Sequence, residues 1–177
     1  EYGLFHSNAE TRDPKLLVRC RTEEEMFEKL GLHYIPPELR EDMGEIALAE
    51  KGPLPRLIEW TDLKGSLHNH STWSDGHQRP EDIAKAMREL GLGYWGITDH
   101  SKSSFQANGL DPARVRHQLK EIASINAMLA KEGTDFRLLT GTEVDILKDG
   151  KLDFPDDLLA ELDVVIASIH ASFTQTE

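Results

Sequence analysis

The sequence predicts an α/β protein built on a parallel sheet with helices packed against it. From about residue 63 onward, short apolar and β-branched runs alternate with helical stretches, the pattern of β-α-β crossovers. One run, Val164-Val165-Ile166-Ala167, is apolar throughout, as expected of a strand buried on both faces. Histidines and carboxylates also recur at the ends of successive predicted strands, where parallel α/β folds place their chemistry.

The elements follow in order. Glu1-Tyr2-Gly3-Leu4-Phe5 reads as a strand without an initiator methionine, so further chain is expected before it; residues 6–14 read as a polar loop. Thr22 is placed to cap a helix, with Glu25 completing a capping box and Glu23-Glu24-Glu25 suiting the positive end of the dipole. Met26, Phe27 and Leu30 supply its apolar face, and Gly31 ends it. Pro36-Pro37 opens a short turn or helix, residues 45–50 another helical turn, and Lys51-Gly52-Pro53-Leu54-Pro55 a linker. The carboxylates between Glu38 and Glu50 have nothing nearby to desolvate them and read as solvated surface.

Regular alternation then begins. Residues 63–70 read as the first strand. Pro80 opens a helix in the N1 position, with Ile83, Ala86, Met87 and Leu90 on one face and Gly91 as the stop. Residues 94–98 form the second strand, ending at Asp99-His100, and residues 101–110 a polar loop. Asp111 caps a long helix from Pro112, in which Val115, Leu119, Ile122, Ile125, Met128 and Leu129 keep helical spacing and are expected in the core. Residues 136–140 form the third strand, ending near Glu143, and Asp149-Gly150 a hairpin turn. Pro155-Asp156-Asp157 opens a short helix, and residues 164–169 form the fourth strand, ending at His170.

Composition narrows the function. The 177 residues suit one domain, or a small piece plus one domain. With 38% hydrophobic and 29% charged residues, the chain is of the soluble globular class. A net charge of -12 argues against non-specific nucleic-acid binding by the segment as a whole, but bound divalent cations would reverse the local field for a nucleotide substrate. Cys20 is the single cysteine, so no internal disulfide forms, which fits a reducing compartment. No apolar run approaches a membrane span and the N-terminus has no signal-peptide core, so the expected location is cytoplasmic, with no membrane partner.

The chemistry concentrates in Leu67-His68-Asn69-His70-Ser71-Thr72-Trp73-Ser74-Asp75-Gly76. Residues i and i+2 of extended chain point the same way, so His68 and His70 can aim at one point. Asp75, in the Ser-Asp-Gly turn, can return an oxygen to it. Such donors suit zinc, manganese or iron. An isolated His-x-His carries little weight. Here Asp99 and His100 end the second strand, Glu143 the third and His170 the fourth, so successive strands deliver candidate ligands to one face. His6, His33, His77 and His117 lack this placement and read as surface or packing residues. The donor set is large enough for more than one metal, which would lower the pKa of bound water to supply hydroxide and clamp phosphoryl oxygens. Asp99 and Asp145 can orient ligand histidines from behind. No Gly-rich phosphate loop or Gly-x-Ser-x-Gly elbow is present.

The first motif, together with Ile97-Thr98-Asp99-His100-Ser101, Gly141-Thr142-Glu143-Val144-Asp145-Ile146 and Ala167-Ser168-Ile169-His170, resembles the PHP (polymerase and histidinol phosphatase) family. The resemblance implies a partial (β/α)7 PHP-type distorted TIM barrel and a phosphoesterase site of up to three divalent metals, Mn2+ or Zn2+. It implies His68, His70, Asp75, His100, Glu143 and His170 as metal ligands, with Glu143 as the bridge. The stretches Glu1-Tyr2-Gly3-Leu4-Phe5, Thr22-Glu23-Glu24-Glu25-Met26-Phe27 and Tyr34-Ile35-Pro36-Pro37-Glu38-Leu39-Arg40 resemble the end of the thumb subdomain of family X DNA polymerases, which bacterial members join to a PHP domain.

The organisation implied is a small mixed thumb remnant over residues 1–50, a linker over 51–62 and the N-terminal half of a PHP domain over 63–177. The activity implied is a manganese-dependent 3′-5′ exonuclease in base excision repair, with DNA as substrate and the polymerase palm and the rest of the PHP domain in the same parent chain. A stand-alone phosphatase on a small phosphomonoester and a non-catalytic PHP module supporting a polymerase are the rival readings. The family's remaining ligands are expected beyond Glu177, so this chain by itself is expected to associate or be marginally stable, to bind fewer than three ions and to hydrolyse little.

Overall fold

A computed structural model describes Leu4, residues 17–171 and Phe173. The chain divides into two compact units, with the division between Ile58 and Glu59.

In the first unit, helix α1 (Glu23–Lys29) starts at Thr22, whose hydroxyl accepts from the Glu25 N–H at 3.3 Å. The Glu25 carboxylate takes the N–H of Arg21 at 2.7 Å, so the reciprocal bond reaches one residue before the cap. Gly31 follows the helix at φ 72°, a left-handed position that favours glycine. A 3-10 turn at Pro37–Leu39 and helix α2 (Glu45–Ala49) complete the unit. Phe27, Ile35 and Ala49 form its core, with Tyr34 edge-on to Phe27 at 5.6 Å between centroids. Leu30, expected in the apolar face of α1, is exposed. The strand expected over residues 1–5 lies outside the described residues except for Leu4, whose carbonyl accepts from the Val18 N–H at 2.9 Å.

The second unit is a curled half-barrel of four parallel strands: β1 (Gly65–Ser66), β2 (Tyr94–Ile97), β3 (Arg137–Asp145) and β4 (Val164–Ser168), in that order. Helices α3 (Pro80–Glu89), α4 (Pro112–Lys131) and α5 (Asp156–Leu159) lie between successive strands in sequence. The predicted partial α/β barrel is thus present. Strand β3 pairs with β2 through residues 137–140 and with β4 through residues 141–145. This stagger belongs to sheets that curl towards a barrel. One core packs Ile83 and Ala84 of α3 and Ile122, Ile125 and Leu129 of α4 against Ile97 and Leu138. A second gathers Leu110, Val115, Val144, Phe154 and Leu158. No helix of the described residues is long and apolar enough to cross a membrane.

Several expectations change. The first strand is two residues long rather than eight. Beyond Ser66 the chain stays beside β2 through a backbone bond, the Thr98 N–H to the Asn69 carbonyl (2.8 Å), joined by side chains: the Asn69 N–H donates to the Thr98 hydroxyl (2.9 Å) and the Asn69 amide to the Gly96 carbonyl (3.1 Å). Gly96 permits this approach, since a Cβ there would lie 2.8 Å from the Leu67 carbonyl oxygen. Glu143 sits inside β3, two residues before its end. On α3 the buried residues are Pro80, Ile83 and Ala84, while Ala86 and Leu90 are exposed. Met128 on α4 is also exposed. Strand β4 is not buried on both faces: its exposure alternates, with Val165 40% exposed, so one face lacks cover, and the strand is also at the edge of the sheet among the described residues.

Candidate metal centre

Glu143 lies at the centre of the cluster. β3 holds it: its N–H is shared between the carbonyls of Thr98 and Asp99 (3.1 Å each), and its carbonyl accepts from the Ser101 N–H at 3.0 Å. It pairs in register with His100 on one side and Ile166 on the other. The side chain is 6% exposed.

Imidazoles from three strand ends converge on it. His68 Nε2 and His70 Nε2 lie 3.0 and 3.2 Å from Glu143 Oε2, the common target that i, i+2 spacing predicts. His100 Nδ1 lies 3.3 Å from the same oxygen, and His170 Nε2 lies 3.0 Å from Oε1. Asp75, carried by the turn after His70, lies 3.3 Å from His70 Nδ1 and 3.8 Å from His100 Nε2. All six predicted residues are therefore brought together. His33, His77 and His117 are exposed, and His6 lies outside the described residues.

The electrostatics favour a cation. Burial raises the Glu143 pKa, but hydrogen bonds from His68 and Ser168 and the charges of His100 and His68 outweigh it and bring it down to about 2. Burial, helped by the neighbouring His70, holds His100 below the ordinary histidine range. His170 is also pushed down by burial, but hydrogen bonding and charge from Asp145, with Glu143 beyond, raise it on balance.

The two supporting aspartates differ. Asp145, two residues after Glu143 and on the same face of β3, lies 2.9 Å from His170 Nδ1 as expected. Ser104 and Ser101 donate to its other oxygen at 2.8 and 3.2 Å. Asp99 was expected to orient a histidine as well, but its hydrogen bonds go to Ser71, Ser74 and Gln118. As a strand-end residue next to His100 it alternates to the other side of the chain. These serines, Ser168 and Gln118 were not singled out in the sequence. The repeated serines of His70-Ser71-Thr72-Trp73-Ser74 and His100-Ser101-Lys102-Ser103-Ser104 were the available signal, whereas Gln118 had none.

The donors fit divalent metal. Three groups have ligand atoms mutually within 4.8 Å: His68, His70 and Glu143; His70, Asp75 and His100; His100, Glu143 and His170. Nδ1 of His70 and of His100 are buried without a hydrogen-bond partner, although each faces a carboxylate oxygen at 3.3 Å. Buried polar atoms are seldom left so, and lone pairs directed into a carboxylate-lined space are what an ion would satisfy.

Residues 1–41 match the family model described as DNA polymerase beta thumb, and residues 66–177 match the PHP domain. Across all 177 residues the chain is 45% identical to a Bacillus subtilis (strain 168) protein named DNA polymerase/3'-5' exonuclease PolX, and it spans 29% of that relative's length. Since the PHP match covers most of the chain and contains every residue of the cluster, the chain belongs to the PHP family, in the thumb-then-PHP arrangement of a bacterial family X DNA polymerase.

Proposed function

We propose that the chain is the metal-dependent phosphoesterase part of a bacterial family X DNA polymerase, acting as a 3′-5′ exonuclease in DNA repair of the base-excision type. Residues 1–50 are read as thumb, 51–62 as linker and 63–177 as the N-terminal half of the PHP domain. DNA is the substrate, the palm and the rest of the PHP domain are partners within one parent protein, and the location is cytoplasmic. His68, His70, Asp75, His100, Glu143 and His170 are the proposed ligands, for Mn2+ or Zn2+, up to three in the complete domain. The observation that carries this reading is the pair of buried, unpartnered nitrogens of His70 and His100 inside a cluster centred on Glu143.

Bound divalent ions would supply an activated water and offset charge on the phosphoryl oxygens. The chain's own residues prepare for them. Glu143 is ionised well below neutral pH and offers both oxygens, each already facing imidazole. The lowered pKa of His100 keeps its ring neutral and able to ligate. Asp145 orients His170 by its Nδ1, the usual way a carboxylate presents the other nitrogen to a metal. His68 and Asp75 are about half exposed and give the cluster an open side.

The test uses the intact protein with manganese and 3′-labelled DNA. His70→Ala should abolish release of nucleoside monophosphates and leave templated nucleotide addition intact; near-normal degradation by the variant refutes the proposal. Release of inorganic phosphate from small esters instead of nucleotides from DNA would indicate a phosphatase. Bound manganese without hydrolysis would indicate a supporting module.

A further inference from the structure

Asp99 is 2% exposed, and its carboxylate accepts five hydrogen bonds. Four come from the turn between His70 and Asp75: the Ser71 N–H (2.7 Å) and hydroxyl (2.6 Å), and the Ser74 N–H (3.3 Å) and hydroxyl (2.5 Å). The fifth comes from the side-chain amide of Gln118 at 2.5 Å. Gln118 is on α4, a helix that contributes no residue to the cluster. It is 1% exposed and lies between Val115 and Ile122 in the buried stripe of that helix. Burying an amide among apolar side chains is unfavourable unless it is bonded, and a bond to a charged group is among the stronger ones. Other bonds brace the turn, among them the Gly76 N–H on the Ser71 carbonyl (2.9 Å), Asn108 on the Trp73 carbonyl (3.1 Å) and the Ser74 hydroxyl on the half-exposed Asp75 (3.1 Å), but the bonds to Asp99 tie it directly to the strand end that carries His100.

We propose that Gln118 is a positioning residue. Acting through Asp99, it holds the 71–74 turn so that Asp75 meets His70 and His100, and it thereby sets the metal affinity of that group alone. The two groups built on Glu143 share His70 or His100 with it but keep a carboxylate that the β3 ladder fixes, and their affinity does not depend on Gln118. The inference rests on the proposed metal-binding function and assigns α4 a part in it.

The experiment measures Mn2+ binding to the intact protein, with no DNA, by titration after dialysis against chelator. Gln118→Met keeps the length and removes the donor. It should weaken the Asp75-dependent binding step on the order of tenfold and leave the other steps unchanged. Ser74→Ala, which removes a hydroxyl that bonds both Asp99 and Asp75, should act on the same step. In an Asp75→Ala background, Gln118→Met should have no further effect on binding. Asn126→Ala is the control: Asn126 lies on the same helix but bonds the Leu138 backbone, at 2.9 Å in both directions, so it should lower thermal stability without changing any binding step. Equal weakening of every step, an unchanged isotherm, or a further loss in the Asp75→Ala background would overturn the inference while the functional reading stands. A wild-type protein that binds no Mn2+ would overturn both.

Discussion

Glu143 and Asp75 are carboxylates of one cluster held in different ways. Glu143 is placed by backbone: a nine-residue strand, paired on both sides, leaves its side chain no other direction. Asp75 is placed by side chains: its turn leans on a buried aspartate through serine hydroxyls and N–H groups. A ladder is robust to any single side-chain change. A hydrogen-bonded turn is only as well placed as each of its donors, so the two proposed ligands should respond differently to the same kind of perturbation.

The largest expected effect comes from removing Glu143, the proposed ligand held by the ladder. Glu143 belongs to two of the three donor groups and Asp75 to one. Glu143→Ala should therefore eliminate hydrolysis by the intact protein and most manganese binding, a loss beyond the ~10–100-fold typical of an outer partner. Asp75→Ala should leave part of the bound manganese in place. Elemental analysis after dialysis compares them, and equal retention would show that the backbone of β3 confers no privilege.

A smaller effect is expected from Gly76→Ala, which disturbs the turn but removes no ligand. A Cβ at Gly76 would lie 2.4 Å from the His70 carbonyl oxygen and 2.7 Å from the Ser71 nitrogen, both backbone atoms that cannot swing aside. The turn must shift, at about 1–3 kcal/mol if it behaves as an overpacked site. Thermal melts should show the loss, and manganese titration should place it in the Asp75-dependent step. Unchanged affinity would mean that the turn is more compliant than its bonding suggests.

The smallest is a pH effect on the metal-free protein. The His170 pKa is raised in the folded state, with Asp145 as the leading favourable cause. A raised pKa contributes stability that is full below the unfolded value, about 6.5, and is lost as pH rises through the folded one. Asp145→Asn should thus lower the melting temperature more at about pH 5.5 than at about pH 8.5. Equal losses at both would assign the role of Asp145 to Ser101 and Ser104 instead. Glu143 has the opposite sign: its contribution is present above the ordinary carboxylate range and fades as pH falls towards about 2.

The ligands held by the ladder were also the more legible in the sequence. Alternation and strand-end placement were enough to bring His100, Glu143 and His170 together, because a parallel sheet carries register over long distances. The i, i+2 rule placed His68 and His70 even though the strand expected to carry them is only Gly65–Ser66, since the chain remains extended alongside β2. Periodicity could not show that Asn69 and Thr98 would take over from the ladder, nor that Asp99 would bond to the serines and Gln118 rather than a histidine. Those bonds join residues up to 29 positions apart through side chains, and no repeat in the sequence reports them. The apolar run in β4 misled for another reason: composition records the affinity of a strand for cover, not whether both faces have it.

The donors around Asp99 have one more consequence. They are hydroxyls, N–H groups and a carboxamide. Dipoles of this kind stabilise a negative charge without cancelling it. Glu143 and Asp145 are also nearly withdrawn from solvent, so three buried carboxylates gather at these strand ends. On the proposed function, that charge favours the entry of small cations and disfavours a polyanionic DNA end until they are bound. The proposed function then carries an order of arrival, ions before strand, and added salt, by screening the field, should blur it.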